Sequence, residues 1–135
     1  MKMLVPGLLI ACVACLFTAK ADPPEPAAPK TKVARVWQGK VPKAKADEYE
    51  KYLTEEGVKK FPRVKGNLGV QMFRRDLGEV TEFVVISYWP DRAAIRAYAG
   101  EDIDKTRFLP KDKDYLIDPE PNVRHYDVKT DERGG

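Results

Sequence analysis

The chain has 135 residues, 43% hydrophobic, 33% charged and 10% aromatic, which suits one small domain and leaves no room for two. Its net charge is +3, from 24 Lys and Arg against 21 Asp and Glu, a smaller excess than a dedicated nucleic-acid binder carries. One histidine and two cysteines nearly exclude a zinc site built from His and Cys, and no glycine-rich phosphate loop is present.

Residues 1–21 read as an export signal. Lys2 gives a positive start, residues 4–17 are an apolar run, and Ala19-Lys20-Ala21 supplies the small-x-small pattern of a signal-peptidase site. The run falls short of the roughly 20 apolar residues that span a bilayer, so no membrane span is expected, although an uncleaved anchor is one alternative. Leu9-Ile10-Ala11-Cys12 offers another, a bacterial lipobox with a lipid anchor at Cys12. Cleavage and lipidation both imply an exported protein, periplasmic or secreted. Cys12 and Cys15 both lie in this segment, so cleavage after Ala21 leaves a mature chain with no thiol. It also removes Lys2 and Lys20, and a net charge of +1 says little about partners.

Residues 22–31 form a linker with prolines at 23, 24, 26 and 29, too many to pack as helix or strand. The folded unit is expected over 32–130, with a polar tail at 131–135. Residues 32–41 predict a strand through Val33, Val36, Trp37 and Val41, ended by Pro42. Residues 44–61 predict a helix, with Ala46, Tyr49, Leu53, Gly57 and Phe61 on one stripe and Pro62 stopping it. Residues 68–75 and 80–89 predict two strands joined by a turn at 76–79, an antiparallel hairpin. Asp91 can cap a second helix carrying Ala94, Ile95 and Tyr98, which Gly100 ends. Residues 100–122 are charged and carry Pro110, Pro119 and Pro121; so long a connection is often a lid or a binding wall. Residues 123–128 predict a last strand.

The order β-α-β-β-α-β is the ferredoxin-like arrangement, an α+β fold with two helices on one face of a four-stranded antiparallel sheet. The other face is too apolar to leave in water. Two sheets are therefore expected to pair face to face as a homodimer.

Val33-Ala34-Arg35-Val36-Trp37-Gln38-Gly39 followed by Ala46-Asp47-Glu48-Tyr49 resembles the start of an antibiotic biosynthesis monooxygenase (ABM) domain. Pro62-x-x-x-Gly66-Asn67-x-Gly69-Val70 is similar to that family's second strand. Residues 83–89, and Asp91-Arg92-x-Ala94-Ile95-Arg96-Ala97-Tyr98-Ala99-Gly100, resemble its third strand and second helix. Val123-Arg124-His125-Tyr126-Asp127-Val128 resembles its closing strand. The resemblance implies a dimeric α+β barrel. It also implies an oxygenase with no metal and no bound flavin, hence no cofactor, acting on a small aromatic or quinone-like molecule. Some relatives degrade haem with an asparagine, a tryptophan and a histidine in defined places. Here the first strand has no asparagine and the histidine is on the last strand.

An oxygenase without a cofactor needs a base or hydrogen-bonding group, a dry apolar pocket, and a positive or donor group for the substrate anion. Arg35 and Trp37 share a face of the first strand. His125, in the same sheet, is the only histidine and the ordinary titrating group near neutrality. These three are the catalytic candidates, expected on the helix side of the sheet as in family members. Each has a plainer reading: a histidine satisfied by a backbone carbonyl, a tryptophan packing the core or dimer seam, an arginine paired with Glu82 or Asp127. Asn67, Arg74, Tyr88, Trp89 and Arg107 are candidates for substrate binding, Tyr88 and Trp89 on opposite faces of the third strand. Two other functions stay open: an exported ligand-binding or interaction barrel without catalysis, and haem binding or degradation.

Overall fold

Alternation builds β1 (Val33–Pro42): Val33, Arg35, Gly39 and Val41 are buried on one face, while Ala34, Val36 and Gln38 take the other. The computed structural model describes residues 32–133, together with Met3 and Gly7. The export signal apart from those two residues, the Cys12 lipobox and the linker at 22–31 lie outside the described residues. Among the described residues no helix is long and apolar enough to cross a membrane.

After β1 a single 3-10 turn, Lys43–Lys45, leads into α1 (Ala46–Glu56), which buries Ala46, Tyr49 and Leu53. The helix stops five residues before the expected position 61. Gly57 caps the helix at φ −116° and ψ −79°, its N–H making the last i→i−4 bond, to the Leu53 carbonyl at 3.0 Å. The stripe continues as the 3-10 segment Val58–Arg63, with Pro62 inside it. Glycine is a poor helix former and proline offers no N–H for an i→i−4 bond. The tighter winding still delivers Phe61 to Trp89 and Tyr98, at ring-centroid distances of 6.3 and 5.5 Å.

β2 (Gly69–Leu77) and β3 (Val80–Trp89) pair antiparallel up to Leu77 opposite Val80. The connection is thus two residues, Gly78-Glu79, rather than the expected four. Gly78 has φ +67°, the positive φ that a tight II′ hairpin turn requires at its first position. In α2 (Arg92–Ala99), the Asp91 carboxylate accepts from the Ala94 N–H at 2.8 Å, and Gly100 ends the helix at φ +92°. β4 (Arg124–Asp127) closes the sheet, whose order is β2-β3-β1-β4, antiparallel throughout. The chain therefore has the ferredoxin-like α+β fold read from its sequence.

Both helices lie on one face. One part of the core joins Val41, Ala46, Tyr49, Leu53, Phe83 and Val85 under α1; the other joins Val33, Trp89 and Ile95 under α2. The opposite face carries Val36, Phe73, Val84, Ile86 and Tyr126, by the pairing of Val36 with Ile86 and Arg124, and of Phe73 with Val84. Phe73 is 48% exposed and Tyr126 53%.

Residues 104–123 form a closed loop. The Val123 N–H bonds the Asp104 carbonyl at 2.7 Å and the Thr106 N–H bonds the Pro121 carbonyl at 2.9 Å. Its far end docks on β1 through the Ile117 N–H to the Lys40 carbonyl, 2.8 Å. The long connection is thus an ordered wall.

Candidate functional site

A cavity of about 430 Å³ opens between the helix face of the sheet and this wall. β1 contributes Arg35 and Trp37, β3 Val85 and Ser87, α1 Leu53 and Glu56, and α2 Tyr98. Phe61 and Val64 line it from the stretch after α1, and Arg107, Phe108, Leu109, Pro110 and Asp112 from the loop. Aromatic and aliphatic groups dominate, with a few convergent charges, the usual constitution of a small-molecule site.

Arg35 is 5% exposed. Its Nη1 donates to the Ile103 carbonyl and to His125 Nε2 at 2.9 Å, and its Nη2 donates to the Lys105 carbonyl at 3.0 Å. All three acceptors are neutral. The two carboxylates expected as its partners are engaged by other arginines, Glu82 by Arg75 at 3.0 Å and Asp127 by Arg92 at 2.9 Å. Burial lowers the Arg35 pKa, yet a guanidinium stays charged in proteins.

Arginine has no lone pair to offer, so His125 Nε2 accepts and the ring proton sits on Nδ1. Nδ1 lies 3.2 Å from Asp104 Oδ1 and donates to it. Burial first, then the Arg35 charge, lowers the His125 pKa. The histidine stands behind the arginine and does not line the cavity. It holds Arg35 in place; it does not present a free basic nitrogen to a ligand.

Arg107 stacks over the Tyr98 ring at 4.7 Å and donates through Nη1 to the Tyr98 carbonyl. Trp37 lies across Gly39, where a Cβ would come within 2.7 Å of the indole. Arg35, Trp37 and Arg107 are thus brought to one cavity, on the helix side as expected.

The remaining candidates lie elsewhere. Asn67 closes its own loop, accepting from the Gly69 N–H at 3.0 Å. Arg74, on edge strand β2, pairs with Asp47 at 2.8 Å and Glu50 at 2.9 Å. Tyr88, on the open face, donates to Gln71 Oε1 at 2.7 Å. Trp89 is fully buried, donates to Ser87 Oγ at 2.9 Å, and stacks on Tyr98 at 5.2 Å, backing the cavity without lining it.

Asp112 is a cavity residue that the sequence reading missed. It is 3% exposed, accepts from Tyr49 Oη at 3.0 Å through Oδ1 and from the Leu109 N–H at 2.7 Å through Oδ2. Burial raises its pKa against the pull of these two hydrogen bonds. Burial and the adjacent Asp112 carboxylate push the Tyr49 phenol well above its ordinary range. In sequence, Asp112 sits in a run of Lys and Asp that reads as solvated surface. The available signal was Tyr49, whose hydroxyl on an apolar stripe requires a buried partner. Among the described residues no cluster of three or more His, Cys, Asp and Glu is placed to hold a metal ion.

Residues 33–103 match the profile of the family described as antibiotic biosynthesis monooxygenase. Arg107 and Asp112 lie beyond the matched residues. No curated protein matches the chain. Among solved structures, a Nitrosomonas europaea protein of unknown function is 15% identical with a TM-score of 0.56, covering 80% of this chain and 99% of its own. A conserved protein from Methanosarcina mazei is 16% identical with a TM-score of 0.55, covering 74% and 95%. A heme-degrading protein from Mycobacterium tuberculosis, in its heme-free form, is 22% identical with a TM-score of 0.53, covering 77% and 98%. At these identities the likeness is one of fold. The sequence profile spans over half of the length, residues 33–103 of 135, and on that ground the chain belongs to the antibiotic biosynthesis monooxygenase family.

Proposed function

We propose that the domain is a cofactor-independent monooxygenase that oxidises a small aromatic or quinone-like substrate in the cavity beside Trp37. The observation that carries this reading is Arg35: a buried cation in an aromatic-lined cavity, with neutral acceptors on its hydrogen bonds. Such a charge favours a substrate that becomes an anion, and the surrounding low dielectric strengthens the attraction. An aromatic carbanion is electron-rich enough to reduce O₂ itself. For a methylene flanked by aromatic rings, as in anthrone, the carbon loses two hydrogens and gains one oxygen as a carbonyl. The second oxygen atom leaves with those two hydrogens as water, so one O₂ supplies the whole four-electron oxidation. Trp37 and Phe108 offer flat apolar contact to the rings, and Arg107 adds positive charge to the lining.

The Mycobacterium tuberculosis structural neighbour is a heme degrader, solved with two hemes bound in its active site. The residues of this cavity do not fit a histidine-ligated haem. His125, the only histidine, has Nε2 on Arg35 and Nδ1 on Asp104. Export remains part of the proposal on the strength of residues 1–21, and it suits chemistry that draws on no soluble reductant.

The test is oxygen uptake by the full chain with anthrone under air. We expect uptake above the buffer rate with one ¹⁸O from ¹⁸O₂ in the product. We also expect Arg35→Met to lower kcat/KM by about 10²-fold or more, as loss of an anion-stabilising donor does. Uptake at the buffer rate, with anthrone bound unchanged, would leave the non-catalytic binding barrel as the function.

A further inference from the structure

Forming the substrate anion requires a group to take a proton, and the histidine that the sequence suggests is engaged by Arg35. The cavity lining holds two carboxylates. Glu56 is exposed and pairs with Lys60 at 2.5 Å. Asp112 is buried, and its two hydrogen bonds come from a phenol and a backbone amide, neither of them charged. A carboxylate has about four acceptor sites, so both oxygens keep capacity for a substrate.

We propose that Asp112 is the general base of this cavity and that Tyr49 is its positioning residue. The assignment rests on the oxygenase reading above. The Asp112 carboxylate takes a proton from the substrate methylene; the C–H electron pair stays on the ring system as a delocalised anion near Arg35. The anion gives its electrons to O₂, a C–O bond forms, and the peroxide recovers the proton from Asp112. Asp112 then removes the second methylene proton, the pair becomes the C=O bond, and the O–O bond breaks. The departing hydroxide takes the proton from Asp112 and leaves as water. The aspartate ends as it began. Burial holds its carboxyl above the ordinary carboxylate range, closer to neutrality and to a useful proton-transfer match.

Proton abstraction can be read without oxygen. The full chain is incubated with anthrone in D₂O under nitrogen, and deuterium entering the methylene is followed by NMR. We expect the wild-type chain to speed exchange and Asp112→Asn to slow it by about 10²–10⁴-fold, the usual contribution of a positioned base. Tyr49→Phe keeps the carboxylate and loses a hydrogen bond that favours its ionised form. It should retain exchange while the acid limb of the pH–rate profile moves to higher pH. Exchange by Asp112→Asn at the wild-type rate overturns the base, and an unmoved limb in Tyr49→Phe overturns the positioning role. Wild-type exchange without oxygen uptake in air keeps Asp112 as a base and removes the oxygenase reading. Uptake that survives Asp112→Asn does the reverse, and a wild-type chain showing neither removes both.

Discussion

His125 carries a pH dependence whose sign follows from its two neighbours. The unfolded chain takes a proton on this ring near its ordinary pKa of 6.5. The folded chain takes it only at lower pH, because burial and Arg35 both oppose the charge. Between those limits the unfolded state binds more protons, so this residue makes the fold less stable as pH drops below about 6.5. His125→Gln keeps an acceptor for Arg35 and removes the titration. We expect the melting temperature of the variant to fall less between pH 7 and pH 5 than that of the wild type; equal falls would sink the account. At this scale the sequence was half legible. Arg35 and Trp37 declared themselves by sharing a strand face, a purely local property. The role of His125 was hidden, because it depends on which side of the ring the arginine reaches. Asp112 was hidden more deeply, its burial depending on Tyr49, 63 positions earlier in the chain.

Elements were legible wherever a local rule decided them. Alternation placed β1, Asp91 capped α2, and Gly100 ended it. The end of α1 was not, since the apolar stripe runs on through Gly57 and Phe61 while the backbone changes winding beneath it. Within β1, Gly39 is where the strand yields space to Trp37. A methyl there would stand 2.7 Å from the indole and 2.8 Å from Leu116, so the ring or the loop must shift. We expect Gly39→Ala to destabilise the fold by about 1–3 kcal/mol, the range for overpacking, seen as a lower urea midpoint. Ligand affinity should fall with it. An unchanged midpoint and affinity would mean that the indole does not need this lane.

For the whole molecule, one face of the sheet is covered by helices and the other presents Val36, Phe73, Val84, Ile86 and Tyr126. We expect the full chain to sediment as a homodimer through this face, and Ile86→Glu to sediment as a folded monomer, because burying a charge at such a seam is unfavourable. A wild-type monomer would remove the seam. The four-stranded antiparallel sheet with both helices on one face followed from the β-α-β-β-α-β sequence of elements. The connection at 100–122 was read as a lid or binding wall, but its closed shape was not legible, because that comes from backbone bonds to Pro121, Asp104 and Lys40 rather than from periodicity. Those same bonds make the wall a cassette. Asp104 and Val123 meet at its neck, so its two ends leave the domain side by side. A loop of different length and composition, spliced across that neck, would give the cavity a new roof over the same sheet, with the carbonyl at 105 still needed to hold Arg35. The roof of the cavity can therefore be exchanged as a module, one loop at a time, provided that each new loop carries over Asp112 and the carbonyl that holds Arg35.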